Sequence, residues 1–496
     1  MTAPSGVKTK TIIGLEIHVQ LKTATKMFCG CPVRFNAPPN SCVCPVCLGQ
    51  PGSLPVINRQ AFEYAVLTGL ALNCTIADHT KWDRKSYYYP DLPKNYQISQ
   101  YDLPLAYGGY FDVPIDGTSR RVRIRRAHLE EDAGKNMHDV PGCTLVDLNR
   151  AGTPLLEIVT EPDLATEDEA YAFCTQLQRL VTYLGVSEGV MQKGQMRFEP
   201  NVNVAIEFGG VEHRTPIAEI KNLNSFRSVR NAIAYESRRQ VDAWLENHDY
   251  ELGQAANENR GWNDDKGVTE FQRGKEAAHD YRYFPDPDLA PVEISEAVLN
   301  SIKVGLPELP IRRQNRFIDQ FGLSFKDAAT LLDHRATADL FERVVAAGAP
   351  ADIVGKQFVN VWLKLANDRN VPVTELGVDA DRMAALAKAV ADGNINRTAA
   401  NQIAEVMLSR REQPIRLAEE LGLIQIQDSN ANQTWVTEAF AANEKAVGDA
   451  LSNPKKMQAA VGFLRGQVMK ISAGKADPKL VAELIERRLA DMRSAH

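Results

Sequence analysis

Polar and apolar positions alternate along two long stretches of the first half of the chain. In Gly14–Lys22, Leu15, Ile17, Val19 and Leu21 fall on one side, and Glu16, His18, Gln20 and Lys22 on the other. Arg197–Phe208 repeats the pattern, with Phe198, Val202, Val204, Ile206 and Phe208 opposite Arg197, Glu199, Asn201, Asn203 and Glu207. A period of two predicts strands with one face on a core. Arg121–Arg126 is a shorter case, setting Arg123 and Arg125 against Val122 and Ile124. Helical spacing predicts helices at Arg59–Leu72, Glu167–Leu184 and about Phe226–Asn247, the last with Asn224 and Ser225 as cap candidates. Two-faced strands with helices to one side predict an antiparallel α+β sheet over residues 1–291.

Three prolines between Tyr283 and Pro291 mark a boundary. Beyond it, the spacing of Leu331, Leu332, Leu340, Val344 and Val345 predicts a helical domain over residues 292–426. A polar interruption at Gln427–Thr434 then sets off a small helical tail, residues 427–496. There Asp477-Pro478 is an N-cap with a first-turn proline, followed by an apolar stripe of Leu480, Val481, Leu484, Ile485 and Leu489.

A length of 496 residues fits two or three domains. The net charge of −6 excludes a protein coated in basic surface, although residues 455–493 carry nine Lys/Arg against four Asp/Glu. That local excess fits either an RNA-facing element or an ordinary solvated helical face. The polar start lacks a signal peptide, and no apolar run approaches a membrane span, so the chain is expected in the cytoplasm or, after loss of any targeting piece, in an organelle.

Five of the eight cysteines crowd into Cys29–Cys47, the others being Cys74, Cys143 and Cys174. Cys29-x-Cys31 and Cys44-x-x-Cys47 are two tight pairs, the second within Cys-Pro-Val-Cys-Leu-Gly. Such pairs hold a tetrahedral zinc ion better than they explain a loop of reduced thiols. Four thiolates leave no open position, so the zinc would be structural. Cys42 is an extra thiol that competes with Cys44 for assignment.

Carboxylates dominate the polar strand faces. Glu16 and His18 project side by side, His128 to Lys135 adds Glu130, Glu131 and Asp132, and Glu199 and Glu219 sit on strand-like segments. Any one of these acids is ordinarily a solvated surface group; the set on one face would repel unless cations bridge it. Oxygen donors with one imidazole favour Mg²⁺ or Mn²⁺. No P-loop or dinucleotide fingerprint occurs, and no nucleophile elbow. Basic groups that could meet phosphate are Lys81, Arg84, Lys85, Arg123, Arg125 and Arg126. Tyr87, Tyr88 and Tyr89 fit a base-stacking surface as well as a strand with two inward rings.

Several stretches together are specific to one family. They include Ile13-Gly14-Leu15-Glu16-Ile17-His18-Val19-Gln20-Leu21, the run Asp83–Gln100 containing Arg-Lys-Ser-Tyr-Tyr-Tyr-Pro-Asp-Leu-Pro-Lys-Asn-Tyr-Gln, and Glu130-Glu131-Asp132-Ala133-Gly134-Lys135. Val146–Leu155, Lys221–Phe226, Asp280–Pro285 and Gly462–Lys470 complete the set. From about Thr11 to its end the chain resembles the B subunit of the bacterial and organellar aspartyl/glutamyl-tRNA amidotransferases.

The resemblance implies an antiparallel-sheet cradle distantly like glutamine synthetase, then an all-α domain and the tail. It implies ATP- and Mg²⁺-dependent activation of the side-chain carboxylate on Glu-tRNA(Gln) or Asp-tRNA(Asn) as an acyl phosphate. Ammonia would come from the amidase (A) subunit, with the small (C) subunit completing a heterotrimer. By position, Glu16, His18 and Glu131 would ligate Mg²⁺, with Glu130 a close alternative. Glu199 and Glu219 would serve a second ion and the nucleotide phosphates, although Glu199 stands where many relatives carry Asp. Lys85 and Tyr87 would line the chamber, Lys94 the ammonia path, and Cys29, Cys31, Cys44 and Cys47 the zinc. Arg465, Lys470, Lys475 and Arg487 would grip tRNA. Two rivals differ in kind: a free-standing ATP-dependent carboxylate–amine ligase, and a non-catalytic zinc-containing RNA-binding protein. The archaeal tRNA(Gln)-specific relative is disfavoured, for lack of a large insertion between Pro291 and the tail.

Overall fold

A computed structural model describes residues 7–115, 118–137, 140–274, 281–426, 428–452, 457–472 and 474–494. Asp280 of one family motif and Gln427 of the tail boundary lie outside the described residues. The chain forms two compact units, Met1–Pro310 and Ile311–His496.

The first unit is built on a ten-stranded sheet. Its strands are β1 (Lys8–Gln20), β2 (Thr75–Ile76), β3 (Ala106–Ile115), β4 (Thr118–Glu131), β5 (Pro154–Thr160), β6 (Met196–Phe208), β7 (Val211–Arg214), β8 (Ala218–Lys221), β9 (Glu258–Asn263) and β10 (Val268–Gly274). They run in the order β10-β9-β8-β6-β1-β5-β4-β3-β2, with β7 paired to β6. The sheet is mixed where the alternation predicted it antiparallel throughout, because β8 and β9 pair in parallel. Between them the chain passes through helix α3 (Phe226–Glu246), and a helical crossover brings the chain back in its starting direction.

Helices α1 (Arg59–Ala71), α2 (Glu167–Tyr183) and α3 start where capping side chains satisfy free amides. The side chains of Asn58, Thr166 and Ser225 accept from Ala61, Glu169 and Ser228 respectively. Glu167, Asp168 and Glu169 in the first turn of α2 also suit its positive dipole end. These helices cover the apolar sheet face. Leu15, Ile17 and Val19 are buried there, Phe198 meets Phe226 edge-on at 5.7 Å, and Phe111 meets Phe173 at 5.9 Å.

The first unit continues past the proline cluster to Pro310. Phe284–Pro285 pairs with Asp83–Arg84, and Val292–Glu293 pairs with His79–Thr80. Arg84 fixes the proline segment, donating to Asp286 at 2.7 Å and to Asp288 at 3.0 Å.

All regular elements described in the second unit are helical. Its last four helices, from Ser429 onward, share a core in which Val436, Leu464, Val468, Val481, Ile485 and Leu489 are buried. Asp477 caps the last of them by accepting from Lys479 N at 2.8 Å, as its Asp-Pro start predicts. Within this unit the tail is tied to the preceding helices: Asn396 Nδ2 donates to the Gly474 carbonyl at 2.9 Å, and Ile426 N to the Lys475 carbonyl at 2.7 Å.

Candidate active site

Because β1 lies between β6 and β5, each polar residue on it is registered against two neighbours. Glu16 stands opposite Glu199 on β6; His18 stands opposite Arg197 on β6 and Glu157 on β5; Glu157 stands opposite His128 on β4. Side chains directly opposite share a face at close range, so alternation plus pairing assembles the site.

Two ligand clusters result. Glu16, Glu199 and Glu219 bring one carboxylate oxygen each to within 4.8 Å of one another. Asn201 Nδ2 donates to Glu16 Oε1 at 2.9 Å, and Lys221 Nζ lies 2.5 Å from Glu199 Oε2 and 2.7 Å from Glu219 Oε1. Burial works against ionisation of Glu199, but Lys221 outweighs it and holds the carboxyl below its usual range. In the second cluster His18 Nε2 lies 3.4 Å from Glu130 Oε1 and 3.7 Å from Glu157 Oε2. His128 Nε2 approaches the same Glu157 oxygen at 3.4 Å. Burial, helped by Glu157, pushes Glu130 up to about 8, and burial lowers His18 to about 4. His18 is therefore a neutral imidazole with a lone pair to give. Hard oxygens with one neutral imidazole fit Mg²⁺ or Mn²⁺.

The residues that the resemblance grouped as Glu16, His18 and Glu131 are redistributed. Glu130 joins His18, whereas Glu131 points through the opposite face, where it pairs with Lys94 and accepts from Ile98 N at 2.9 Å. The cause is a bulge: Val159 pairs with Arg126 but Thr160 with Ile124, leaving Arg125 as an extra residue. It shifts the alternation of β4 by one, so Ala127, Leu129 and Glu131 take the inner face. Glu157, Asn201 and Lys221 are further site residues, with no role expected from the sequence.

Lys85 Nζ sits 4.6 Å from the centroid of the Tyr281 ring and 5.8 Å from that of Tyr87. Burial first, and the charges of Glu130 and Asp132 next, hold the Tyr87 phenol well above its usual range. Of the three tyrosines only Tyr87 turns inward, since Tyr88 and Tyr89 are exposed. Of the other cations offered for phosphate, Arg126 donates to the Tyr101 carbonyl at 2.9 Å, and the remaining four are engaged by acids. Lys81 pairs with Asp83 and Asp102, Arg123 with Asp163, Arg125 with Glu161, and Arg84 with the two aspartates above.

The sulfurs of Cys29, Cys31, Cys44 and Cys47 also gather within 4.8 Å. Tetrahedral zinc with Zn–S bonds near 2.3 Å separates its sulfurs by about 3.8 Å, and Cys44 and Cys47 Sγ stand 3.9 Å apart. The hydrogen bond from Cys29, together with the Cys44 amide at 3.2 Å and Lys26, lowers the Cys47 thiol to about 4. The set fits zinc. Cys42 turns away: its N–H donates to Asn149 Oδ1 at 2.8 Å and its buried sulfur faces Ser41. The knuckle ends at Gly49, at φ +65°, where a Cβ would meet Lys94 Cγ at 2.5 Å. The cysteine loop therefore buttresses the lysine that pairs with Glu131.

In the tail, Arg465, Lys470, Lys475 and Arg487 are all exposed. Among the described residues no helix is long and apolar enough to cross a membrane.

Comparison with known proteins agrees in both units. A family described as the GatB/GatE catalytic domain matches residues 11–300, and the GatB domain matches residues 339–489. The B subunit of the aspartyl/glutamyl-tRNA(Asn/Gln) amidotransferase of Moorella thermoacetica is 46% identical over 483 residues, covering 97% of this chain and 99% of that one. The proteins of the same name from Thermoanaerobacter sp. strain X514 and Geotalea daltonii are each 43% identical over 484 residues. They cover 98% and 97% of this chain, and 100% and 99% of their own lengths. The chain belongs to the family of aspartyl/glutamyl-tRNA(Asn/Gln) amidotransferase B subunits.

Proposed function

We propose that this chain converts misacylated Glu-tRNA(Gln), Asp-tRNA(Asn) or both to the amide form. Its polar sheet face activates the tRNA-bound carboxylate with ATP. The observation that carries this reading is the pair of ligand clusters, Glu16–Glu199–Glu219 and His18–Glu130–Glu157, side by side on one face. Glu16 and His18 are two residues apart on β1, which places the clusters about 7 Å apart along the strand. That spacing suits two cations bridged by phosphate.

A free carboxylate does not react with ammonia, because oxide would have to leave. In the proposed sequence a carboxylate oxygen attacks the γ-phosphorus and ADP departs. Ammonia then attacks the acyl carbon, phosphate leaves, and a proton is lost from nitrogen. Mg²⁺ held by these clusters would neutralise charge on the phosphates. The chain's own contribution is positional: Glu16 and Glu199 are set by cross-strand register, and neutral His18 is oriented between two acids. Lys85, with the rings of Tyr87 and Tyr281, would line the chamber wall and meet the substrate's negative charge. Lys94, buried against Glu131 behind the sheet, would lie on the ammonia path.

Relatives named as B subunits imply companions. The amidase (A) subunit would hydrolyse glutamine, and the small (C) subunit would complete the heterotrimer. The sheet domain would be the catalytic cradle, and the helical parts would carry the tRNA body on Arg465, Lys470, Lys475 and Arg487. The cysteine set would hold structural zinc, and the protein would work in the cytoplasm. ATP turnover measured with and without misacylated tRNA tests the reading: turnover should require the tRNA and vanish in Glu16→Ala. Product made without tRNA would favour the free-standing ligase, and a fully active Glu16→Ala would favour the non-catalytic binder.

A further inference from the structure

The two clusters differ in one respect. Among the described residues the ion-pair partners of Glu130 and Glu157 are histidines. The Glu16–Glu199–Glu219 cluster instead contains an ammonium: Lys221 Nζ lies 2.5 Å from Glu199 Oε2 and 2.7 Å from Glu219 Oε1. We propose that Lys221 is a built-in counter-cation that occupies this cluster in the resting protein and is displaced when a divalent cation arrives with the nucleotide. The inference rests on the reading above, that the polar face holds cations.

Three carboxylates this close repel one another, and a neutral amide such as that of Asn201, which donates to Glu16, offsets only part of the repulsion. The ammonium of Lys221 between Glu199 and Glu219, with the more distant charge of Arg197, offsets this repulsion without metal. It also blocks metal. Mg²⁺ needs bonds near 2.0–2.1 Å to carboxylate oxygens of the glutamates that Lys221 contacts, and an ammonium left in place would face the ion across a shared ligand. Lys221 can withdraw: it is the last residue of β8, its side chain is 34% exposed, and its flexible stem carries a compact charge. The clusters should therefore load unequally. The His18 cluster takes a cation from solution, whereas the Lys221 cluster fills when nucleotide phosphates bring a cation and give the ammonium a new anionic partner.

Mn²⁺ titration of the full chain, followed by electron paramagnetic resonance without nucleotide, tests this. Wild type should bind one Mn²⁺ tightly, and His18→Ala should lose it. Lys221→Met should gain a second site, at least tenfold tighter than any second binding in wild type, and Glu219→Gln in that background should abolish the gain. Lys221→Arg keeps the charge and should stay at one ion, which separates displacement from damage to the fold. Lys221→Met titrating like wild type, or Lys221→Arg gaining the second ion too, would overturn the role of Lys221 while His18→Ala still reports the metal face. Absence of Mn²⁺ binding in every variant would overturn both.

Discussion

Glu130 and Glu131 are neighbours in sequence and face opposite sides of the sheet: Glu130 stands 3.4 Å from His18, and Glu131 pairs with Lys94 behind it. The two acids should therefore fail differently when neutralised. Glu131→Gln strands Lys94, which is 8% exposed, and breaking a buried pair costs roughly 3–5 kcal/mol. Glu130→Gln removes a charge already opposed by burial. It should leave stability within about 1 kcal/mol or improve it, yet abolish cation binding at the His18 cluster. Denaturant titrations paired with Mn²⁺ binding separate the two; equal losses of stability would refute the two-face arrangement.

The pH dependence of the cation-free protein has a definite sign. Glu130 keeps its proton to about pH 8 when folded, against an ordinary value of 4.5. Between those values unfolding releases a proton, so this group's contribution to stability falls as pH rises. His18 acts the other way, being lowered from 6.5 to about 4, so its contribution rises over that lower window. From about pH 6.5 to 8 the Cys47 thiol, lowered to about 4, adds a rising contribution of its own, which a comparison with Glu130→Gln cancels. In chelator, urea midpoints of wild type should decline across that interval relative to Glu130→Gln; parallel profiles would show that Glu130 is ionised.

Zinc content should follow the geometry of the cysteine loop. Cys44→Ser is expected to lose the ion and lower the melting temperature, whereas Cys42→Ser should retain one zinc and cost about 1 kcal/mol or less. Elemental analysis with thermal melts decides the matter. Gly49→Ala should behave like a milder Cys44→Ser, because its Cβ would collide with Lys94.

The tail's basic residues should act on tRNA affinity alone. Reversing Lys470 and Arg487 to Glu should weaken binding by about tenfold or more and flatten its salt dependence by roughly one unit of log–log slope per lost phosphate contact. Cation binding at the sheet face should not change. An unaltered salt slope would mean that these residues only solvate their helices.

Much of this site was legible in sequence because β1 and β6 are long, central and regular, so alternation alone put Glu16, His18 and Glu199 on one side. The apolar stripe of the last helix was equally legible, since an α-helix keeps its period. Glu157 was not: Leu155-Leu156-Glu157-Ile158-Val159 reads as an apolar run with one acid, and only pairing with β1 gives that acid a partner. The resemblance gave Glu131 as a ligand with Glu130 as its alternative; Glu131 lies on the inner face because the bulge at Arg125 reverses the phase of β4, which no periodicity reveals. Arg123 and Arg125, offered for phosphate, are neutralised by Asp163 and Glu161 from a segment some forty residues away. Long-range pairing of charges is a property of the fold and leaves no local pattern.

The proposed phosphoryl transfer to a tRNA-bound carboxylate at the Glu16–His18 face would leave an isotopic trace. It is read with Glu-tRNA or Asp-tRNA in which both side-chain carboxylate oxygens are ¹⁸O, incubated with ATP, an ammonia source and the assembled enzyme. Attack of the carboxylate on ATP predicts inorganic phosphate containing one ¹⁸O for each amide formed, with no label transfer in Glu16→Ala. Amide formed with unlabelled phosphate would mean that the carboxylate is not phosphorylated.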